Sequence, residues 1–171
     1  QGLDVDLVIV GRPAWLMEEF VSRLRSHPEL GKRLFWFESA DDRVLQELYA
    51  SSTALLLASE GEGFGLPLVE AAQHRLPIIT RDLPVFREVA GEHAFYFNGA
   101  SGKALADAIW NWLALYAEGR APASDGIRWI GWDESTRQLL ASVEQQQWYA
   151  RLFVSETATA PPGQPALLTP S

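Results

Sequence analysis

Two glutamates stand eight positions apart around a glycine-rich bend in the stretch EGEGFGLPLVEAA, residues 60–72. Glu62 precedes Gly63, Phe64 and Gly65; Leu66, Pro67 and Leu68 follow, and Glu70 closes the run. Ionised carboxylates only accept hydrogen bonds, and a pair of them matches the vicinal hydroxyls of a sugar. The glycines carry no Cβ, so a ligand can approach the backbone closely. Pro67 fits the first turn of a helix, which places the amides of Phe64 to Leu68 where helical donors lack internal partners. Such a turn receives an anion or a hydroxyl. Helical side chains lean toward the N-terminus, so the Glu70 carboxylate can reach back to the same edge. The same residues also allow a plain reading. In it the acids favour the helix macrodipole, and Gly-Phe-Gly is an ordinary strand-to-helix turn.

The elements around the bend follow from hydrophobic periodicity. Short apolar runs at 5–11, 33–37, 53–59, 77–80 and 94–97 read as strands. The run at 53–59 is apolar almost throughout, as a strand covered on both faces should be. Between them lie amphipathic stretches. A helix is expected over 13–27, with Pro13 in its first turn and Leu16, Met17, Phe20, Val21 and Leu24 on one face. Ser39 or Asp41 can cap the next, whose stripe is Val44, Leu45, Leu48 and Tyr49. A short helix runs from about Pro67 to Gln73, and another begins at Asp82 and Pro84 and ends before Gly91. Ser101 can cap a long one carrying Leu105, Ala108, Ile109, Trp112 and Tyr116, and a last helix spans about 133–152. Alternating strands and helices predict an α/β fold, a Rossmann-like parallel sheet with helices on both faces. In such a sheet ligands bind at the carboxyl ends of the strands, where the bend lies.

Composition narrows the function classes. The 171 residues carry a formal net charge of −8 and no basic run, which argues against nucleic acid as a partner. Without cysteine there is neither a disulfide frame nor a thiolate zinc site. No apolar run approaches the length of a membrane span, and no signal peptide is visible, so a cytoplasmic domain is expected. His27, His74 and His93 lack ligand spacing and read as surface residues. Asp41–Asp42 reads as a helix start, and the tryptophans at 110, 112, 129 and 132 as core or interface cover. From residue 155 onward Pro, Ser, Thr and Ala dominate, so 154–171 is expected to be a disordered tail or linker.

The longer stretch from 58 to 97 resembles the C-terminal, donor-binding domain of retaining GT-B glycosyltransferases of family 4 (group 1). That family places a Ser before Glu-Gly-Phe-Gly-Leu-Pro, then Glu-Ala with seven residues between the two acids. Ser59, Glu62 to Pro67, Glu70 and Ala71 reproduce the pattern, and Pro77, Ile78, Ile79, Glu88, Val89 and Gly91 match its continuation. The resemblance covers about residues 4 to 150. It implies transfer of a hexose from a nucleotide-diphosphate sugar, GDP-mannose or a UDP-sugar, to a glycan or lipid-linked acceptor in polysaccharide biosynthesis, with the anomeric configuration kept. It implies that Glu62 lies beside the donor sugar and takes part in catalysis, and that Glu70 accepts the ribose hydroxyls. Amides of Gly63, Phe64 and Gly65 would contact sugar hydroxyls, and those of Leu66 and Leu68 the diphosphate. Phe37 and Glu38 would lie near the base, and Arg12 is the nearby cation for phosphate. The resemblance implies no cofactor and no metal; the nucleotide sugar is substrate.

On this reading residues 1–153 are a nucleotide-sugar-binding domain that lacks its first strand and helix. The partner N-terminal GT-B domain, which holds the acceptor, lies outside the chain. The isolated chain is therefore expected to be inactive, and any attachment to the inner membrane face to come from other parts. The sequence departs from the family at Arg75 and Glu38, where glycine is usual; Arg75 is expected to change the helix end. Two alternatives stand beside the transferase. One is a non-catalytic, glycosyltransferase-like binding or scaffold domain. The other is a different GT-B enzyme such as a nucleotide-sugar epimerase, whose loop the bend does not resemble.

Overall fold

A computed structural model describes residues 5–13 and 17–145. The chain divides into two compact units, residues 1–129 and 130–171. The first unit holds β1 (Leu7–Val10), α1 (Glu18–Arg25), β2 (Leu34–Phe37), α2 (Asp42–Ser51) and β3 (Leu55–Leu57). It continues with α3 (Leu66–Gln73), β4 (Ile78–Arg81), α4 (Pro84–Ala90), β5 (Phe95–Phe97) and α5 (Gly102–Ala117). All five strands expected from the apolar runs are present. α1 is described from Glu18; residues 14–16 of the expected helix lie outside the described residues.

Every strand pairing is parallel, but the strands form two sheets. β1 pairs with β2, Leu7 opposite Leu34. β4 pairs on one side with β3, Ile78 opposite Leu55, and on the other with β5, Thr80 opposite Tyr96. β1 and β3 each have one strand neighbour among the described residues. The single sheet expected from the sequence is thus divided between β1 and β3. Periodicity identifies strands, whereas the choice of neighbour belongs to tertiary packing.

Strand alternation sorts the second sheet into two faces. Ile78, Leu55, Leu57 and Tyr96 join a core with Tyr49 of α2, Leu68, Ala71 and Ala72 of α3, and Phe86 and Ala90 of α4. Ile79, Leu56, Phe95 and Phe97 pack instead with Leu105, Ala108 and Trp112 of α5. Helices therefore cover both faces, which is why the run at 53–57 shows no polar alternation. The capping residues behave as the sequence suggests. Asp41 Oδ1 accepts the Val44 amide at 2.8 Å, and Ser101 Oγ accepts the Ala104 amide at 3.1 Å.

Two expectations are corrected here. His74 and His93 are half-buried, not surface residues: His74 stacks on Tyr49, and the His93 ring fills the space beside Gly126. Arg75 does not change the helix end. It takes the left-handed conformation (φ 54°) that glycine would otherwise supply. Its amide donates to Ala72 and the Leu76 amide to Ala71, at 3.0 and 2.9 Å, the bond pair of a Schellman turn. Of the tryptophans named from the sequence only Trp112 is core; Trp110, Trp129 and Trp132 are exposed.

In the second unit α6 (Trp132–Glu144) opens with Asp133 and Glu134 in its first turn, as the macrodipole favours. Its stripe of Leu139, Leu140 and Val143 is exposed. The expected continuation to residue 152 and the expected tail at 154–171 reach beyond the described residues.

Candidate functional site

The bend leaves the carboxyl end of β3 at Ala58 and enters α3 at Leu66. Its conformation is fixed by Gly65, which adopts φ 90° and ψ 48° at the helix N-cap. A Cβ at this glycine would stand 2.9 Å from Phe86 Cε1 and 3.1 Å from Cδ1. Phe86 is fully buried, so the ring cannot yield; both the dihedral and the space demand glycine. By contrast, a Cβ at Gly63 would meet open space. Gly63 therefore leaves its backbone accessible without any packing need.

The donors and acceptors named from the sequence are arranged as follows. Glu62 is exposed, and its Oε1 accepts the amide of Gly63 at 3.2 Å. The amides of Phe64, Gly65 and Leu66 have no partner among the described residues, and the Phe64 and Leu66 side chains are exposed. Pro67 has no amide hydrogen, and the Leu68 amide donates to the Gly65 carbonyl at 2.9 Å, with its side chain fully buried. The available donors are thus concentrated at 64–66. Glu70 is half-buried, one turn into α3, and its Oε2 accepts the hydroxyl of Tyr49 at 2.7 Å.

The other named residues gather at the carboxyl end of the first sheet. The Gly11 amide donates to Phe37 at 3.0 Å, so the exits of β1 and β2 lie side by side. Arg12 and Phe37 are exposed there. Glu38 is engaged: Arg25 Nη2 donates to its Oε1 at 2.9 Å. Both sets therefore lie at strand carboxyl ends, each on its own sheet.

Two residues shape the site without having been singled out for it in the sequence. Arg81, at the end of β4, donates Nε to the Ser59 carbonyl at 3.0 Å and Nη2 to Ala58 at 3.0 Å. Nη1 donates to Gly99, and the guanidinium lies 5.2 Å from the centre of the Phe97 ring. It ties the exit of β3 to the loop after β5. Tyr49 is the other. Its place in the apolar stripe of α2 signals its ring, and nothing in the pattern signals its hydroxyl. Burial, together with the hydrogen bond to Glu70, holds the Tyr49 hydroxyl well above its usual range, so it remains a donor. Further out, Arg87 grips Asp82 through Nε–Oδ1 (2.7 Å) and Nη2–Oδ2 (2.9 Å) and keeps its carboxyl below the usual range. No group of three His, Asp or Glu side chains suited to a metal occurs among the described residues. Nor is any described helix long and apolar enough to cross a membrane.

Residues 1–128 match the family described as "Glycosyl transferases group 1". The chain belongs to that family, and its two-faced parallel α/β architecture is that of a GT-B glycosyltransferase. Over 143 residues, 84% of the chain, it is 49% identical to the serotype-specific mannosyltransferase WbdA of Escherichia coli. It is 31% identical over 105 residues, 61% of the chain, to the O-antigen chain mannosyltransferase RfbU of Salmonella typhimurium. The chain spans only 18% of the WbdA length and 29% of RfbU. Among solved structures it resembles the pneumococcal O-GlcNAc transferase GtfA in complex with UDP and GlcNAc, with a TM-score of 0.62 at 21% identity. That match covers 82% of this chain and 29% of the other, and it speaks for the fold.

Proposed function

We propose that the full-length protein is a retaining hexosyltransferase and that this chain holds its nucleotide-diphosphate sugar. The observation that carries the reading is the bend itself: free amides at 64–66 between Glu62 and Glu70, at the carboxyl end of a parallel strand. Mannose from a guanine nucleotide is the first candidate donor, because the relatives WbdA and RfbU are mannosyltransferases; a UDP-sugar is the second. The acceptor is a growing glycan or a lipid-linked glycan of the O-antigen kind, bound by a part of the protein outside this chain. The reaction is placed in the cytoplasm or at the inner membrane face.

The roles are those the family resemblance implies, and the donor and acceptor types present support them. Glu70 accepts the ribose hydroxyls, as an ionised carboxylate does well. Glu62 and the amides of Gly63, Phe64 and Gly65 address the sugar. In this structure Glu62 is folded onto the Gly63 amide, so donor binding exchanges that contact for sugar hydroxyls. The Leu66 amide and the positive end of α3 face the diphosphate, where negative charge grows as the sugar departs. Leu68 contributes packing, since its amide is already used. Phe37 and Glu38 lie toward the base and Arg12 toward phosphate. No bound metal or cofactor is assigned.

Thermal melting of the full-length protein with GDP and UDP tests the reading, since a ligand of the folded state raises the melting temperature by mass action. Stabilisation by one nucleoside diphosphate, and transfer from the matching nucleotide sugar with retention, is expected. Absence of stabilisation by every nucleoside diphosphate would overturn it.

A further inference from the structure

α2 and α3 are joined by a clasp of four side chains beside the bend. Glu70 of α3 and His74, the C-cap of that helix, are four residues apart and lie on one side of it. On α2, Gln46 and Tyr49 are three apart and share one face. The Tyr49 hydroxyl donates to Glu70 Oε2 at 2.7 Å. The Tyr49 ring stacks on the His74 ring, centroids 5.6 Å apart and planes 16° from parallel. His74 Nε2 lies 2.7 Å from Gln46 Oε1. Tyr49 itself belongs to the core formed with Leu68, Ala71 and Ala72, so its ring is held from below by packing and from the side by His74.

We propose that Tyr49 is a positioning residue for Glu70: by donating to Oε2 it fixes the carboxylate and leaves Oε1 to accept a hydroxyl of the nucleotide ribose. The proposal rests on the reading of Glu70 as the ribose acceptor. A free glutamate side chain has three rotatable bonds and would lose that freedom on binding. The Tyr49 hydroxyl restricts it beforehand, so the ordering is complete before the ligand arrives. Half-burial strengthens the hydrogen bond relative to one in water. The hydroxyl stays protonated over the working pH range, so the restraint does not switch off. His74 and Gln46 hold the tyrosine ring in turn, which gives the acid two layers of support. It also gives the chain a means of telling a ribonucleotide from its 2′- or 3′-deoxy analogue. A fixed acceptor rejects a ligand lacking the hydroxyl more strongly than a mobile one that can turn back to water.

The test is calorimetry on the full-length protein with GDP, UDP and their 2′- and 3′-deoxy forms, for wild type, Tyr49→Phe, Glu70→Ala and the double variant. Tyr49→Phe keeps the ring, its packing and the His74 stack, and removes only the hydroxyl. It is expected to weaken the ribonucleotide about fivefold while barely changing the deoxy form that lacks the partner hydroxyl, so the ribo-to-deoxy ratio narrows. KM for the donor should rise with kcat unchanged, and in the Glu70→Ala background Tyr49→Phe should have no further effect on the ratio. A merely structural tyrosine would lower the melting temperature and leave the ratio at its wild-type value. If Glu70→Ala weakens binding while Tyr49→Phe leaves affinity and ratio untouched, the positioning role is wrong and the site reading survives. If Glu70→Ala leaves ribonucleotide affinity unchanged, the site reading itself is wrong.

Discussion

Glu62 and Glu70 are the same residue type in different surroundings, one exposed and folded onto a neighbouring amide, the other half-buried and held by a tyrosine. That difference separates their expected phenotypes. Glu70→Gln should weaken nucleotide diphosphate binding by about ten- to hundredfold, the worth of a charge-assisted hydrogen bond of roughly 1.5–3 kcal/mol. Glu62→Gln should lower turnover and leave free-nucleotide affinity nearly constant, because in the proposed function its partner is the sugar. Titrating free nucleotide and measuring kcat for each variant separates the two. A second residue-scale prediction concerns Arg75. A left-handed arginine costs about 1–2 kcal/mol, and glycine would return about 0.5–1 of that to the unfolded chain, so Arg75→Gly should stabilise by about 0.5–1 kcal/mol. Thermal melting should show a rise of a few degrees; a fall would mean that the arginine makes a contact worth more than the strain. The acids and glycines of the proposed site were legible in the sequence, because their types and spacing are local to one bend. The Tyr49 hydroxyl and the Arg81 guanidinium were not, since their partners lie 21 and 18–23 residues away along the chain, and no local pattern reports such distances.

At the scale of elements, the strand-to-helix turn depends on Gly65 more than on Gly63. Gly65→Ala combines a left-handed dihedral with a Cβ pressed onto the buried Phe86 ring and should destabilise by about 2–4 kcal/mol. Urea unfolding would show it, and a loss below about 0.5 kcal/mol would mean that the turn can re-form another way. The start of α4 carries a pH dependence. Asp82 is held by Arg87, so its folded carboxyl titrates below its unfolded one. The stabilisation is present above the unfolded value, about 4, and is lost as pH falls through the lower folded value. Arg87→Gln should therefore be less stable than wild type near neutrality, and the difference should narrow in acid to what the Arg87–Tyr96 stacking contributes, as melting at a series of pH values can check. All the strands and most helix boundaries were legible, because apolar runs, Asp41, Ser101, Pro84 and Gly91 mark them directly. What could not be read was which strand lies beside which: β1 and β3 carry equally apolar runs, and the apolar pattern is silent about neighbours.

For the whole molecule, the weight of the core lies in one half. The two large buried clusters contain residues from Tyr49 onward, whereas Leu24 and Leu34 are the buried apolar side chains of the first α1–β2 region. Leu7, Val8 and Val10 of β1 are exposed. The two sheets also meet no common strand among the described residues. Cooperativity is carried by shared packing, and neither buried cluster takes a residue of β1, α1 or β2, so this part of the unit should open first. Deuterium uptake would read this directly. Amides of Leu7–Val10 and Leu34–Phe37 should exchange well ahead of those of Ile78–Arg81, in a separate and faster class; a single uniform class would mean that the halves are coupled. The division between β1 and β3, so far a matter of geometry, thus becomes a statement about time. The half that carries Arg12, Phe37 and Glu38 would be transiently open while Glu62 and Glu70 remain in place, and a nucleotide reaching both halves would have to close that gap in lifetimes.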